Sequence, residues 1–430
     1  MSIASEITRI NTNISAAYTS ATAQGAMISQ TQNSANLAST IDSIDSYQES
    51  VRKDINFYDY KGKLIRGFTF SEAQNLSSFP TAPNHPGLTG QGWNYTKSEV
   101  ISAASNGYPL DVGRIEKTTD EKTKLYFFVA KGTRIRSLTI FVVMDGNKST
   151  TIDWGDGTTG TIQNTGSSSA AVSATKTNYS EVTEDTIICV SLSESGDSYK
   201  LGTGGTNNIF GVDGSTTENL PDTPVLIKVE TGVKCNGISD NAFYYCNALQ
   251  TVVLSNHITE IGKNAFNQCT ALRAIVVPRF VTSISERSFY NCYGLKVVSL
   301  PLSIAPSVST VAVDTYAFYF CSGLTNFDIP NSITIIPQHM LRNCHNLTYV
   351  SVPKTITKIG GGSFNGCRRL CVIDMTDYGD SDTLPMLENT NALNNTPSYL
   401  TFKVSSQTVK NRFLAMTNWT SLSADSFVVG

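Results

Sequence analysis

Two residue classes in this 430-residue chain are spaced as though for chemistry. Six of its nine cysteines recur at Cys246, Cys269, Cys292, Cys321, Cys344 and Cys367, separated by 23, 23, 29, 23 and 23 residues. Structural zinc sites use ligand pairs close in sequence, and no C-x-x-C pair occurs. Instead, each cysteine stands three residues after Phe243, Phe266, Phe289, Phe318, Leu341 or Phe364, and three before a leucine. In such a slot free cysteine behaves as a small hydrophobe, so these thiols are expected to be reduced and buried. Cys235 takes a position filled in other repeats by Ile258, Val281, Ile333 and Ile356, so it too is expected in the core. Cys371 falls on an outward or edge position, diverging from Cys367.

The second class is acidic and aromatic. Asp153 and Asp156 flank a Trp-Gly turn and could offer oxygens to calcium, but such a site needs six or more, so a turn-forming role is expected. The four histidines, His85, His257, His339 and His345, stand in no H-E-x-x-H or nucleophile-elbow context. The reading is therefore no enzyme, no catalytic residue, no metal and no cofactor. Binding is the chemistry left: Tyr244, Tyr290 and Tyr319 cluster at repeat loops, beside Tyr245, Tyr293, Tyr316 and Phe320. Aromatic side chains supply rigid contact area for protein or sugar, although tyrosine also simply follows the core phenylalanine in this repeat.

The element that positions these residues is a repeat. Three residues beyond each leucine comes Val252, Ile275, Val298, Phe327, Val350 or Ile373, then an apolar residue two further on. A fixed period of this length predicts a solenoid, whose units bury their apolar faces only by stacking. The Leu-x-x-Val-x-Leu stretch predicts the strand, with alternate residues inward. Its outward positions are Thr251 and Val253, Ala274 and Val276, Val297 and Ser299, Asn326 and Asp328, Tyr349 and Ser351, Val372 and Asp374. Together they predict a continuous, weakly charged sheet face on which Asn326, Asp328 and Tyr349 are candidate binding residues. The long interval holds a six-residue insertion between Pro301 and Val313.

Upstream the patterns change. Ile3, Ile7, Ile10 and Ile14 alternate four and three apart, the seam of a coiled coil, and isoleucine at both seam positions favours three or more strands. A small helical hairpin packing on itself or on the next domain is the alternative. Between residues 56 and 112, Pro and Gly at high density with Phe68, Phe70, Phe79, Trp93 and Tyr95 predict a small α+β module. From 113 to 224, runs such as Leu125–Val129, Leu138–Val143 and Ile187–Leu192 predict a β-sandwich. Charged residues are 16% and the formal charge is -3, so no basic footprint for nucleic acid exists. No apolar run is long enough to enter a membrane.

The AFYYC, AFNQC, SFYNC and AFYFC cores, with a following L-x-x-V-x-L/V-P pattern, resemble the BspA-type leucine-rich repeats of bacterial and phage surface proteins. The segment from Ser398 to Phe427 resembles the terminal part of such arrays, which implies a last strand (Leu400, Phe402, Val404), an amphipathic helix and Trp419 packed at the edge. Ile152–Thr159 (IDWGDGTT) resembles the signature strand of PKD-type sandwiches, adhesive modules without catalysis; a Ser/Ala/Thr-rich stretch replaces the expected aromatic strand end after Thr159. Asn36–Ile44 is similar to the helical starts of tail proteins in phages of Firmicutes, and the YDYKGKLIRGFTF run to a module beside both in gut-phage proteins.

The expected architecture is multidomain and mainly β: an α-helical, coiled-coil-like anchor (1–55), a small α+β module (56–112), an Ig/PKD-like sandwich (113–224), the leucine-rich-repeat solenoid (225–376), and a degenerate repeat with C-terminal cap (377–430). The N-terminal MSIASEITRINTNIS lacks the basic and apolar regions of a secretory signal. With an extracellular composition, this leads to a virion protein assembled in the host cytoplasm. The expectation is a tail fibre or receptor-binding protein, trimeric and held to other tail or baseplate proteins by its N-terminus. Its C-terminal half would bind a host-cell surface protein or glycan. The alternatives are a bacterial adhesin, a baseplate or head-decoration protein, and a polysaccharide depolymerase.

Overall fold

The computed structural model describes residues 53–133, 135, 137–203, 210–212, 224–301, 313–419 and 422–430. The expected oligomerisation seam at Ile3, Ile7, Ile10 and Ile14, and most of the insertion after Pro301, lie outside the described residues. What is described is mainly β, with three short α-helices.

The first unit is a sheet of Leu64–Phe68, Ile55–Tyr58, Leu110–Thr118 and Leu88–Trp93, in that order, with the central pair parallel. Two helices, Phe70–Gln74 and Lys97–Ser105, cover it. Both begin with a capping box, Thr69 with Glu72 and Thr96 with Glu99, which satisfies amide donors that a helix start leaves unpaired. Phe57 packs against Phe68, Phe79 and Trp93 with ring centroids 5.6, 5.2 and 5.0 Å away. The strand Leu110–Thr118 runs across residue 112, so the expected junction there falls inside this sheet.

Next, Thr123–Val129 and Ser137–Met144 alternate buried and half-exposed residues, the period of strands with one face inward. They found two sheets that do not end where the repeats begin. Val225–Glu230 pairs antiparallel with Thr123–Val129 on one side and parallel with the first repeat strand, Thr251–Val253, on the other. In the opposite sheet Tyr199–Leu201 pairs with Cys235–Ile238, which pairs with Glu260–Ile261 of the next repeat. One hydrophobic core therefore runs from Leu125 to Phe427. The sandwich is the cap that an open-ended stack requires.

Within the solenoid the repeat residues form ladders. Phe243, Phe266, Phe289 and Phe318 stack at successive centroid distances of 5.1, 5.3 and 5.3 Å. Each thiol from the second repeat onward donates to a carbonyl one repeat earlier, as Cys269 Sγ does to Phe243 O at 3.2 Å and Cys292 Sγ to Phe266 O at 3.1 Å. All nine cysteines are free, the six repeat thiols are buried, and burial raises their pKa. Thr401–Val404, the helix Gln407–Leu414 and buried Trp419 close the far end, the indole Nε1 donating to Pro385 O at 3.0 Å. One element was not expected: Phe427–Val429 adds a further parallel strand to Thr401–Val404.

Candidate functional site

The outward face of the repeat strands is not continuous surface. The small module lies on its first three rungs, where Val253, Ala274, Val276 and Ser299 are buried. Two glycines permit the approach. A Cβ on Gly113 would stand 2.2 Å from Val276 Cγ1, and one on Gly62, at φ +78°, 2.6 Å from Ala274 Cβ. Asn94 fastens the seam: its Nδ2 donates to Ser299 Oγ at 2.9 Å and Val277 O at 3.3 Å, while its Oδ1 accepts from Gly113 N at 2.8 Å. The Tyr95 hydroxyl donates to Leu300 O, and burial raises its pKa. At the edge Asn256 N donates to Gln91 Oε1 at 2.8 Å, and Arg279 lies 3.7 Å from Glu99. These residues were missed from the sequence, although the apolar character of Val253, Ala274, Val276 and Val297 was a legible sign of a covered face.

Rungs four to six are more open, with Ser351 the one outward residue buried there. Asn326, Asp328, Tyr349 and Asp374 are half-buried there. Between them and the module lies a cleft of about 160 Å³. The module contributes Asp54, Phe70 and Tyr108 to its lining; the solenoid side contributes Tyr349, Asp374, Asp377 and Lys403. Its polar groups are held. Tyr349 Oη donates to Asp374 Oδ2 at 3.1 Å, and Thr376 N and Oγ1 donate to Asp374 Oδ1 at 3.0 and 2.7 Å. Lys403 Nζ is 3.9 Å from Asp374. Lys354 N donates to Asp377 Oδ2 at 2.7 Å, and Phe70 N to Asp54 Oδ2 at 2.8 Å. Burial raises the pKa of Asp377; burial and then the Asp377 charge push Tyr108 up to about 12.

Of the expected binding residues, Tyr349 lines this cleft. Asp328 sits beside it, accepting from Ser351 Oγ at 3.0 Å; Asn326 lies on the same strand, farther along the face. Of the loop aromatics, Tyr290, Tyr293, Tyr316, Tyr319 and Phe320 join into one cluster through ring contacts, and the Tyr244–Tyr245 pair stands apart from it. Tyr290 and Tyr319 stack at 4.5 Å, nearly parallel, so each spends a ring face on the other. Tyr244 meets Tyr245 edge-on at 4.4 Å, and the equivalent position in the intervening repeat is Asn267.

Elsewhere, Asp153 and Asp156 are occupied by their turn. Asp153 Oδ1 accepts from Gly155 N at 2.9 Å, Asp156 Oδ1 from Thr158 N at 3.0 Å, and Lys176 lies 3.1 Å from Asp156 Oδ2. Among the described residues no group of three or more His, Cys, Asp and Glu could hold a metal ion, and no helix is long and apolar enough to cross a membrane.

No curated protein matches the chain. Among solved structures, a leucine-rich repeat protein of T. pallidum is 28% identical over 35% of this chain and 64% of its own, with a TM-score of 0.31. A leucine-rich repeat protein from Bacteroides ovatus is 18% identical over 50% of this chain and 68% of that one, TM-score 0.28. The pneumococcal vaccine antigen PcpA is 15% identical over 47% and 40%, TM-score 0.27. The family described as the BspA type leucine rich repeat region matches six copies across 236–371, so this stretch is an array of BspA-type leucine-rich repeats.

Proposed function

We propose that the chain is a non-enzymatic attachment protein that engages a surface partner through the open half of its solenoid face. The observation carrying this reading is the cleft beside Tyr349: concave, polar and aromatic, with its carboxylates oriented by hydrogen bonds from neighbouring side chains and amides. Such a lining suits recognition, in which a few fixed polar groups orient a partner. The setting we favour is a virion tail fibre or receptor-binding protein, supported by the likeness of Asn36–Ile44 to phage tail proteins and by the order expected from the sequence, a helical segment, a PKD-like sandwich and a solenoid. Oligomerisation through Ile3, Ile7, Ile10 and Ile14 belongs to the same proposal.

A bacterial cell-surface adhesin is the second reading, favoured by the BspA-type repeats at 236–371. Binding of labelled full-length chain to intact bacterial cells tests attachment: binding that falls with Tyr349→Ala supports it, and absence of binding to any cell surface overturns it. Antibody labelling of purified virions separates the two settings.

A further inference from the structure

The cleft's composition says more than that it binds. Three rings, Phe70, Tyr108 and Tyr349, meet three carboxylates, Asp54, Asp374 and Asp377, with Lys403 as the one lysine among them. We infer that this cleft is a saccharide site, taking a neutral or amino sugar and rejecting acidic ones. The inference rests on the attachment reading and names the ligand class of the same site.

The chemistry runs as follows. A sugar ring presents an apolar C–H face and a rim of hydroxyl donors. Tyrosine and phenylalanine rings offer flat apolar contact at little conformational cost. A carboxylate offers about four acceptor positions. Here Asp377 Oδ2 and Asp54 Oδ2 each accept a backbone amide, from Lys354 and Phe70, which fixes the carboxylates and leaves further acceptor capacity for ligand hydroxyls. Asp374 is held by Thr376 and Tyr349 in the same way. Three acids against one lysine leave the lining net negative, so a uronic acid entering it meets repulsion, whereas an amine is welcome. A hydrophobic peptide anchor would need an apolar pocket, and this lining is mainly polar. A lysine side chain is the competing occupant, but Lys403 already stands 3.9 Å from Asp374 and meets part of that demand.

The site exists only while the module is docked, because Asp54, Phe70 and Tyr108 come from one unit and the other four residues from the solenoid side. The test is saturation-transfer NMR on the full chain with glucose, galactose, mannose, N-acetylglucosamine, glucosamine, glucuronic acid and a trilysine peptide as separate probes. The expected result is transfer to at least one neutral or amino sugar and none to glucuronic acid, with affinity reduced tenfold or more by Tyr108→Ala and by Tyr349→Ala. Tyr349→Phe, which keeps the ring and removes only the hydroxyl bonded to Asp374, guards against misfolding and should weaken binding less than the alanine variant. No transfer from any sugar, equal transfer from glucuronic acid, transfer from trilysine alone, or sugar binding indifferent to both alanine variants each overturns the inference. If the chain binds cells with Tyr349-dependence while every sugar fails, the saccharide assignment falls and the attachment reading stands; if cell binding is also absent, both fall.

Discussion

The two halves of the solenoid's outward face share one backbone and have opposite fates. On rungs one to three the outward residues Val253, Ala274, Val276 and Ser299 are sealed under the small module. On rungs four to six Asn326, Asp328, Tyr349, Val372 and Asp374 stay in reach of solvent, and only Ser351 of the outward residues is buried. The inward residues cannot explain the difference, since phenylalanine, cysteine and leucine recur in both halves with only one exchange, Leu341 for phenylalanine. Stacking constrains what points in, because each inward side chain must fit its copies above and below. What points out is free to specialise. Here the apolar half became a docking floor and the polar half the wall of a cleft.

The most severe way to break this comparison is to charge the sealed half. Val276→Asp places an unpaired carboxylate at a buried position against Gly113, and a cost of about 3–5 kcal/mol is expected. Asp328→Val, the reverse change in the open half, removes the acceptor for Ser351 Oγ and should cost about 1 kcal/mol. Denaturant unfolding of both variants checks the contrast; equal costs would mean the halves do not differ. Gly113→Ala tests the close approach by sterics alone. Its new methyl must displace Val276 or the module backbone, at about 1–3 kcal/mol, and limited proteolysis should then cut within residues 53–118 faster than in the parent chain. Asn94→Ala removes the donor to Ser299 Oγ and Val277 O and the acceptor for Gly113 N. A loss on the order of 1–3 kcal/mol follows from the buried groups left unpaired, readable in the same assays.

How much of this was legible beforehand divides along the same line. The inward pattern was readable residue by residue, because periodicity is a local property of sequence: the strand positions, the buried cysteines and the cap around Trp419 all stand where spacing and resemblance put them. The docking of the module was not read. It joins Asn94 to Ser299 across 205 residues, and no local pattern encodes a contact of that separation. A trace did exist, in valine and alanine at outward positions where later rungs carry Asn326, Asp328 and Asp374. The same distance hid the cleft, which needs Tyr108 and Tyr349 together. The sandwich likewise looked like a separate unit because its strands are self-consistent; pairing of Val225–Glu230 with Thr251–Val253 and of Tyr199–Leu201 with Cys235–Ile238 shows that it shares the solenoid's core. The loop tyrosines were legible as neighbours because they recur at one repeat position: Tyr290 and Tyr319 stack across repeats, whereas Asn267 at that position parts Tyr244 from them.

The sealed half should also carry the molecule's mildest signature, a pH dependence. Glu116, on the strand Leu110–Thr118 of the module, is buried, and its Oε2 has no hydrogen-bond partner among the described residues. Burial raises its pKa to about 7; Asp59 and Glu230 push the same way, while Arg114 and Lys61 oppose them. Both neighbouring acids are buried too, Asp59 accepting from Lys61 N and Lys63 N at 2.8 Å each and Glu230 from Tyr126 Oη at 2.6 Å. A carboxyl whose folded pKa lies above its ordinary value favours the folded state most when protonated in both states. Its contribution is therefore complete below about pH 4.5, declines as pH rises, and is lost once pH passes about 7. His85, 3.9 Å from Asp59, works in the opposite sense: burial lowers its pKa, so protonation at acid pH disfavours the folded state. Subtraction separates the two. Glu116→Gln keeps the shape, cannot ionise and leaves His85 in place, so the melting temperature of the variant relative to the parent should climb between about pH 5 and 7 and level off above. A difference flat across that range would show that Glu116 keeps an ordinary pKa, and that the seal between module and solenoid is wetter than its geometry implies.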